Sequence, residues 1–154
     1  MRKTLVLLTL LISLLACSTD DNTKRVYQAA IQGTWQESSV VFLNVNNKKL
    51  EERKASNQDG CDLNEIEFNN ATFYTHRFYK FDSYECKKST QKKAYVLKGN
   101  TFETEFVRDD YIELNEYEII LSTSTKLILK TTVDWYYGGK PKDAFYMETT
   151  YIKK

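Results

Sequence analysis

Proline, glycine and histidine are scarce in this sequence, and each shortage excludes a class of structure or chemistry. The chain contains one proline, five glycines and one histidine. Because proline cannot donate to a sheet ladder, its near absence allows long uninterrupted strands. A single histidine, His76, disfavours metal sites built from several imidazoles. No glycine-rich phosphate loop is present, since Gly138 and Gly139 form a predicted turn beside Pro141.

Neither sign of charge is in large excess. The chain has 22 Lys and Arg against 21 Asp and Glu, a formal net charge of +1. If an N-terminal segment containing Arg2 and Lys3 is removed, two positive charges are lost, and the formal net charge falls from +1 to −1. Without an excess of basic residues to neutralise phosphates, we expect no nucleic-acid partner.

Long apolar runs are also missing, except at the N-terminus. Residues 1–16 contain the basic pair Arg2 and Lys3, an apolar run over 5–15, and then the small residue Ala16. The run has about 11 residues, whereas a membrane-spanning helix needs about 20. The order of these three regions predicts a secretory signal peptide.

The residues around the end of this signal carry a resemblance to a known class. Leu14-Leu15-Ala16-Cys17 resembles the lipobox of bacterial lipoproteins. The resemblance implies cleavage before Cys17 and acyl chains, such as palmitate, that anchor the mature protein to a membrane. Residues 17–24 are then a flexible tether, and residues 25–154 form one folded domain.

The first residues of the tether suggest a cellular location. Ser18, rather than aspartate, follows the cysteine, which by resemblance implies the outer membrane. Residues 18–21 also resemble the short acidic export signals of Bacteroidetes lipoproteins. The resemblance leaves two locations open, the periplasmic face and the cell surface.

Two further cysteines, Cys61 and Cys86, remain after Cys17 is assigned to the lipid. An exported chain meets an oxidising compartment, where a remaining pair usually forms a disulfide. The alternative is two buried free thiols. A metal site is less favoured, because the chain has no CxxC spacing.

The mature sequence predicts one short helix followed by an all-β region. Apolar residues at helical spacing predict a helix over 25–32, which Gly33 ends. Beyond Gly33, β-branched and aromatic residues predict eight strands. These cover residues 34–45, 63–68, 71–86, 94–98, 101–108, 117–122, 126–135 and 144–152. The charged segment 48–55 is interpreted as a solvated helical turn.

Several predicted strands alternate between apolar and polar residues. Phe102, Thr104 and Phe106 share one face of their strand, and Glu103 and Glu105 share the other. This alternation, with short connections, is typical of an antiparallel meander with one wet and one buried face. Eight such strands should close into a barrel or fold over as a sandwich, so that few edges stay open.

A short motif at the first strand carries a second resemblance. Gly33-Thr34-Trp35 is a G-x-W that follows a short helix, and it is similar to the lipocalin signature. The mature chain resembles the lipocalin-like lipoproteins of Bacteroidetes, which implies an eight-stranded antiparallel up-and-down barrel with an N-terminal helix. Lipocalins usually stack a basic residue on this tryptophan. The candidates for that role here are Lys153 and Lys130.

The sequence offers little for catalysis, and we expect no enzyme activity, catalytic residue, cofactor or metal. His76 lies within a predicted strand, where a lone histidine is usually a surface or hydrogen-bonded residue. Carboxylate pairs such as Glu51-Glu52 and Asp109-Asp110 are expected on solvated loops and strand faces. No nucleophile elbow or His–Glu metal motif is present.

The aromatic content leaves two functional hypotheses. Eight aromatic residues lie in predicted strands, namely Tyr74, Phe78, Tyr84, Tyr95, Phe102, Phe106, Tyr146 and Tyr151. They either fill the barrel or line a cavity for a small apolar or amphipathic ligand. In the first case, the loop with Trp135, Tyr136 and Tyr137 is the predicted recognition surface for a protein or glycan.

Overall fold

The computed structural model describes residues 19–57, 60–80, 85–107, 112–133 and 139–154. It contains a helix, α1 (Thr19–Ile31), and nine strands. The strands are β1 (Gly33–Leu43), β2 (Lys49–Lys54), β3 (Glu65–Asn69), β4 (Thr72–Tyr79), β5 (Lys87–Lys98), β6 (Thr101–Val107), β7 (Ile112–Ser122), β8 (Lys126–Thr132) and β9 (Tyr146–Lys153).

The sheet closes on itself. Strands β3 to β9 pair antiparallel in sequence order, β1 pairs with β3, and β9 returns to pair with β1. The closing register places Trp35 opposite Lys153 and Val40 opposite Thr149. The predicted eight-stranded antiparallel up-and-down barrel is therefore confirmed, and its eight strands are β1 and β3 to β9.

Strand β2 corrects the prediction of a helical turn over 48–55. Residues Lys49–Lys54 form a hairpin with the second half of β1, opposite the stretch from Ser39 to Leu43. The strand is strongly charged, as suits a sheet edge whose side chains lie partly in solvent. Strand β3 then pairs with the first half of the same edge of β1.

The helix is longer than predicted and covers one end of the barrel. It begins at Thr19, within the stretch 17–24 expected to be a flexible tether. At its C-terminal end, Ile31 is fully buried in the barrel core and Tyr27 packs against that core. We call this the helix end of the barrel, and the opposite end, where β1 leads into β2, the far end.

Strand boundaries also differ around the third predicted strand, 71–86. Strand β4 ends at Tyr79, and β5 begins at Lys87, before the predicted start at residue 94. The first six residues of β5 are exposed, and inward burial begins at Lys93. Exposure of both faces explains why this half of the strand shows no apolar alternation in sequence.

Candidate functional site

The helix-end half of the barrel interior is filled by aromatic side chains. Phe102 is fully buried, and its ring centroid lies 4.8 Å from Tyr117, 5.3 Å from Phe68, 5.7 Å from Phe73 and 5.9 Å from Tyr95. Edge-on and stacked arrangements at these distances are favourable contacts between rings. This half of the interior is therefore an aromatic core in which the rings contact one another.

The predicted strand aromatics are divided between the two faces of the barrel wall. Tyr95 and Phe102 lie inside, and Tyr151 packs against the core. By register, Tyr74 and Phe78 share the outward face of β4 with His76. Phe106 pairs with Glu113 between β6 and β7, and Tyr84 lies outside the described residues. The ring cluster is therefore built from only part of the predicted set.

Toward the far end the interior contains polar as well as apolar side chains, since Val40, Phe42 and Leu43 are also buried there. Lys93 pairs with the core residue Phe73 and is 8% exposed, and Thr104 pairs with Tyr95 and is fully buried. Thr149, on the opposite wall, is 6% exposed beside Val40. Within the described part of the chain, the Thr104 hydroxyl oxygen has no hydrogen-bond partner, an uncommon state for a buried polar atom.

Glu37 is a partly buried acidic residue on β1. It follows Trp35 by two residues on β1 and pairs with Tyr151. The Asn64 side-chain amide donates to its carboxylate at 3.3 Å. Burial raises the pKa of Glu37, while the Asn64 hydrogen bond and the nearby charge of Arg77 act in the opposite direction.

The rim of the far end carries an open depression of about 450 Å³. Its lining residues are Asn44, Val45, Lys142, Asp143, Ala144 and Phe145. Val45 and Phe145 are 60% and 48% exposed, so the rim presents two large apolar side chains to solvent. Arg53 donates a 2.6 Å hydrogen bond to the Gly139 carbonyl and links β2 to this rim.

The key residues of the predicted recognition loop lie outside the described residues. Trp135, Tyr136 and Tyr137 fall in the interval between Val133 and Gly139. On either side of that interval, the Val133 amide donates to the Phe145 carbonyl at 2.9 Å, and the Phe145 amide donates to Leu43 at 2.8 Å. These bonds join residues 133, 145 and 43 at the far end of the barrel.

The G-x-W motif lies at the helix end. Trp35 is fully buried, and its indole nitrogen donates a 2.7 Å hydrogen bond to the Ile31 carbonyl. The Lys153 ammonium lies 4.2 Å from the centroid of the Trp35 ring and donates to the Gln32 carbonyl. Lys153, and not Lys130, is therefore the basic residue on the tryptophan.

Cys61 and Cys86 form a disulfide with a Cα–Cα distance of 5.6 Å, as the predicted pairing required. The bond connects the segment between β2 and β3 to the segment between β4 and β5. Asn57 reinforces the same junction, because its side-chain amide donates at 2.8 Å to the carbonyls of both Asp62 and Phe78. The disulfide therefore links the β2–β3 connection covalently to the β4–β5 connection.

His76 is buried and lies within hydrogen-bond distance of neighbouring side chains. It is 6% exposed, its Nδ1 lies 2.9 Å from the Thr90 hydroxyl, and its Nε2 lies 3.4 Å from the Glu67 carboxylate. The Tyr74 ring stacks on it at 6.2 Å. Across the described ranges, no three His, Cys, Asp or Glu residues are grouped to hold a metal ion.

Comparisons with known proteins find similarity only to solved structures. No protein-family model and no curated protein matches the chain. Among solved structures, it is similar to a deswapped triple mutant of bovine odorant binding protein, with 20% identity over 81% of this chain and 74% of that one, at a TM-score of 0.40. It is also similar to a redesigned β-barrel, with 10% identity over 82% and 94% of the chains, at a TM-score of 0.37.

The predicted lipid attachment remains untested by the structure. Cys17 lies outside the described residues, so its lipid attachment stays a prediction. In the part of the chain that is described, no helix is long and apolar enough to cross a membrane. Sequence reasoning missed the buried position of Lys93. Its signal was the two-residue spacing of Lys93 from Tyr95 and Leu97.

Proposed function

We propose that the protein is a lipid-anchored cell-envelope lipoprotein that binds a small amphipathic ligand, without catalysing a reaction, at the far end of its barrel. The observation that carries the proposal is the division of the interior. The helix-end half is packed with aromatic rings, and the far-end half combines buried apolar residues such as Phe42 with polar groups and an exposed apolar rim. A ligand with apolar and polar parts suits this combination.

The contacts that the ligand would make follow from the residues at the far end. Val45 and Phe145 on the rim offer apolar surface to its hydrocarbon part. Asn44, Lys142 and Asp143, which line the same depression, offer polar and charged groups to its polar part. Because the aromatic core occupies the space below, the ligand would sit near the mouth and remain partly exposed.

Calorimetric titration of the mature chain carrying Cys17→Ser, with sodium dodecanoate and dodecyl maltoside as probes, tests this proposal. Binding of at least one probe is expected. Phe145→Asp should weaken it about tenfold or more, because it replaces apolar contact by a charge, and tenfold corresponds to about 1.4 kcal/mol. Leu114→Asp, on the outer wall, is the matched control. Absence of binding, or an equal loss in both variants, contradicts the proposal.

The anchor is proposed from the signal-like residues 1–16 and the lipobox-like sequence that ends at Cys17. Ser18 supports the outer membrane as its address. Metabolic labelling with a palmitate analogue should label the wild-type chain and spare Cys17→Ser. The paired variant Cys61→Ser/Cys86→Ser should keep the label, because its lipidation site is intact. Protease treatment of intact cells then distinguishes the cell surface from the periplasmic face.

A second candidate function is contact with a protein or glycan through the far-end loops of a solid barrel. The packed rings around Phe102 favour it. In this case, Trp135→Ala/Tyr137→Ala should remove partners that co-purify with the wild-type protein, while Tyr74→Ala on the outer wall should retain them. Unchanged partners in the loop variant would rule this function out.

A further inference from the structure

Four aliphatic side chains form a continuous patch on the outer wall at the helix end. We call Ile120, Leu121, Ile128 and Ile152 the helix-end patch. Leu121 is directly opposite Ile128, and Ile152 is opposite Lys126, which places Ile152 diagonal to Ile128. Such direct and diagonal neighbours are within side-chain contact on one sheet face. The exposed fractions of Ile120, Leu121 and Ile152 are 43%, 38% and 44%.

An irregularity in the β7–β8 register creates the patch. The pairing shifts between Ile119 and Leu121, so that Ile119 is 3% exposed inside the barrel while the next two residues are both exposed. A regular strand would have pointed one of those two side chains inward. Contiguous apolar side chains on an exposed face can mark a protein-contact or membrane-contact site.

The patch lies at the end of the barrel to which the N-terminal segment leads. The turn after β7 is joined to β9 by a 3.0 Å bond from the Lys153 amide to the Thr125 carbonyl. Helix α1 ends at this same end of the barrel with Ile31 in the core. It begins at Thr19, two residues after Cys17, and its 13 residues span about 20 Å.

We infer that the helix-end patch rests on the lipid surface in which the acyl chains of Cys17 are inserted. This inference depends on the lipid anchor of the proposed function. Because α1 is short, an anchor at Cys17 would hold the helix end within about 20–30 Å of the bilayer. Lys126 borders the patch opposite Ile152, where its ammonium can reach lipid phosphates while the aliphatic side chains meet the acyl boundary.

Docking of the helix-end patch would fix the orientation of the barrel axis relative to the membrane, as well as the distance of the barrel from it. With the helix end against lipid, the far end with Val45 and Phe145 faces away from the bilayer. The proposed ligand site would then be open to the surrounding compartment. A lipid anchor on a flexible tether alone would leave the barrel free to tumble.

The test uses the lipidated full chain in nanodiscs of phosphatidylcholine and phosphatidylglycerol, with labelled Ile, Leu and Val methyl groups. A doxyl spin label on the lipid should broaden the methyl signals of Ile120, Leu121 and Ile152. Val96 and Leu114, which are 56% and 71% exposed on the outer wall, are internal controls and should broaden at least threefold less. Equal broadening of patch and control methyls overturns the inference.

Two other outcomes are distinguishable. A chain that fails to associate with nanodiscs at all refutes the lipid anchor and, with it, the basis of the inference. A chain that associates but leaves the patch signals sharp refutes docking alone, and a concentration-dependent dimer would then identify a second copy as the occupant of the patch.

A variant pair provides a second readout. Leu121→Ser/Ile152→Ser changes exposed side chains only, so the fold should persist. Hydrogen exchange of the amides of residues 123–125 in nanodiscs should become at least fivefold faster than in the wild-type protein. Val96→Ser/Leu114→Ser should leave that exchange unchanged. Equal exchange rates for all three proteins contradict docking.

Discussion

Lys153 places its ammonium nitrogen 4.2 Å from the centre of the Trp35 ring and donates a hydrogen bond to the carbonyl of Gln32. One side chain thereby connects the end of β9, the start of β1 and the segment after α1. Partial burial lowers the pKa of Lys153, but the contact requires its charged form. The helix end of the barrel is closed by this arrangement.

Removing the Lys153 charge should destabilise the barrel. We expect Lys153→Met, which keeps most of the aliphatic stem, to lower the free energy of unfolding by about 1–3 kcal/mol through the lost cation–π contact and hydrogen bond. Urea unfolding at pH 7 measures this change. Lys126→Met, on the outer face, is the control and should change it by less than about 0.5 kcal/mol. Equal effects of the two variants would contradict the role of Lys153.

Gly33 should tolerate no side chain while Lys153 is present. Its φ is +100°, and a Cβ added there would lie 2.6 Å from the Lys153 nitrogen. We expect Gly33→Ala to cost more than about 1 kcal/mol of unfolding free energy. In a Lys153→Ala background the cost should fall without vanishing, since the collision is removed but the backbone strain remains. A double-mutant cycle in urea measures the coupling, and additive costs would exclude it.

Apolar alternation made much of this fold predictable. Phe102 and Thr104 face inward and Glu103 and Glu105 face outward, as their spacing indicated. Alternation failed for β2, whose residues Lys49–Lys54 contain one apolar side chain. This strand depends on backbone pairing with β1, which the side-chain pattern does not encode.

The site was less predictable because its parts are distant in sequence. The sequence offered both Lys130 and Lys153 as partners of Trp35, and only barrel closure separates them. Lys130 lies on the outer wall, 4.4 Å from the Tyr146 ring centroid and 3.7 Å from the Glu118 carboxylate. The placement of polar side chains inside the barrel likewise arises from register, which brings Thr104 beside Tyr95.

The disulfide should stabilise the wall around the edge strand β2. Cys61 and Cys86 are 25 residues apart, and a loop of this size corresponds to about 3 kcal/mol on the chain-entropy estimate. We expect Cys61→Ser/Cys86→Ser to lower the unfolding free energy by about this amount. Adding reductant should destabilise the wild-type protein and leave the variant unaffected. A variant as stable as the oxidised wild type would contradict this prediction.

Phe102 should be among the most sensitive positions of the core. It is fully buried against four other rings. We expect Phe102→Ala to cost about 3–5 kcal/mol, and Phe102→Leu to cost less because the cavity is smaller. Thermal and urea unfolding measure both changes. A small cost for the alanine variant would mean that the ring cluster is loosely packed and has room for a ligand.

Glu37 should make the stability of the protein depend on pH. Because burial raises its pKa above the ordinary value of 4.5, the folded state favours the protonated carboxyl. Its contribution is therefore fully present below about pH 4.5 and is lost as the pH rises through the folded-state pKa. Glu37→Gln cannot ionise, so its unfolding free energy relative to wild type should increase as the pH rises above about 4.5. Urea unfolding between pH 4 and pH 8 measures this difference. Glu116→Gln, whose side chain is exposed on the outer wall, is the control for the loss of one negative charge. If the difference in unfolding free energy between Glu37→Gln and wild type does not depend on pH, burial does not favour the neutral acid.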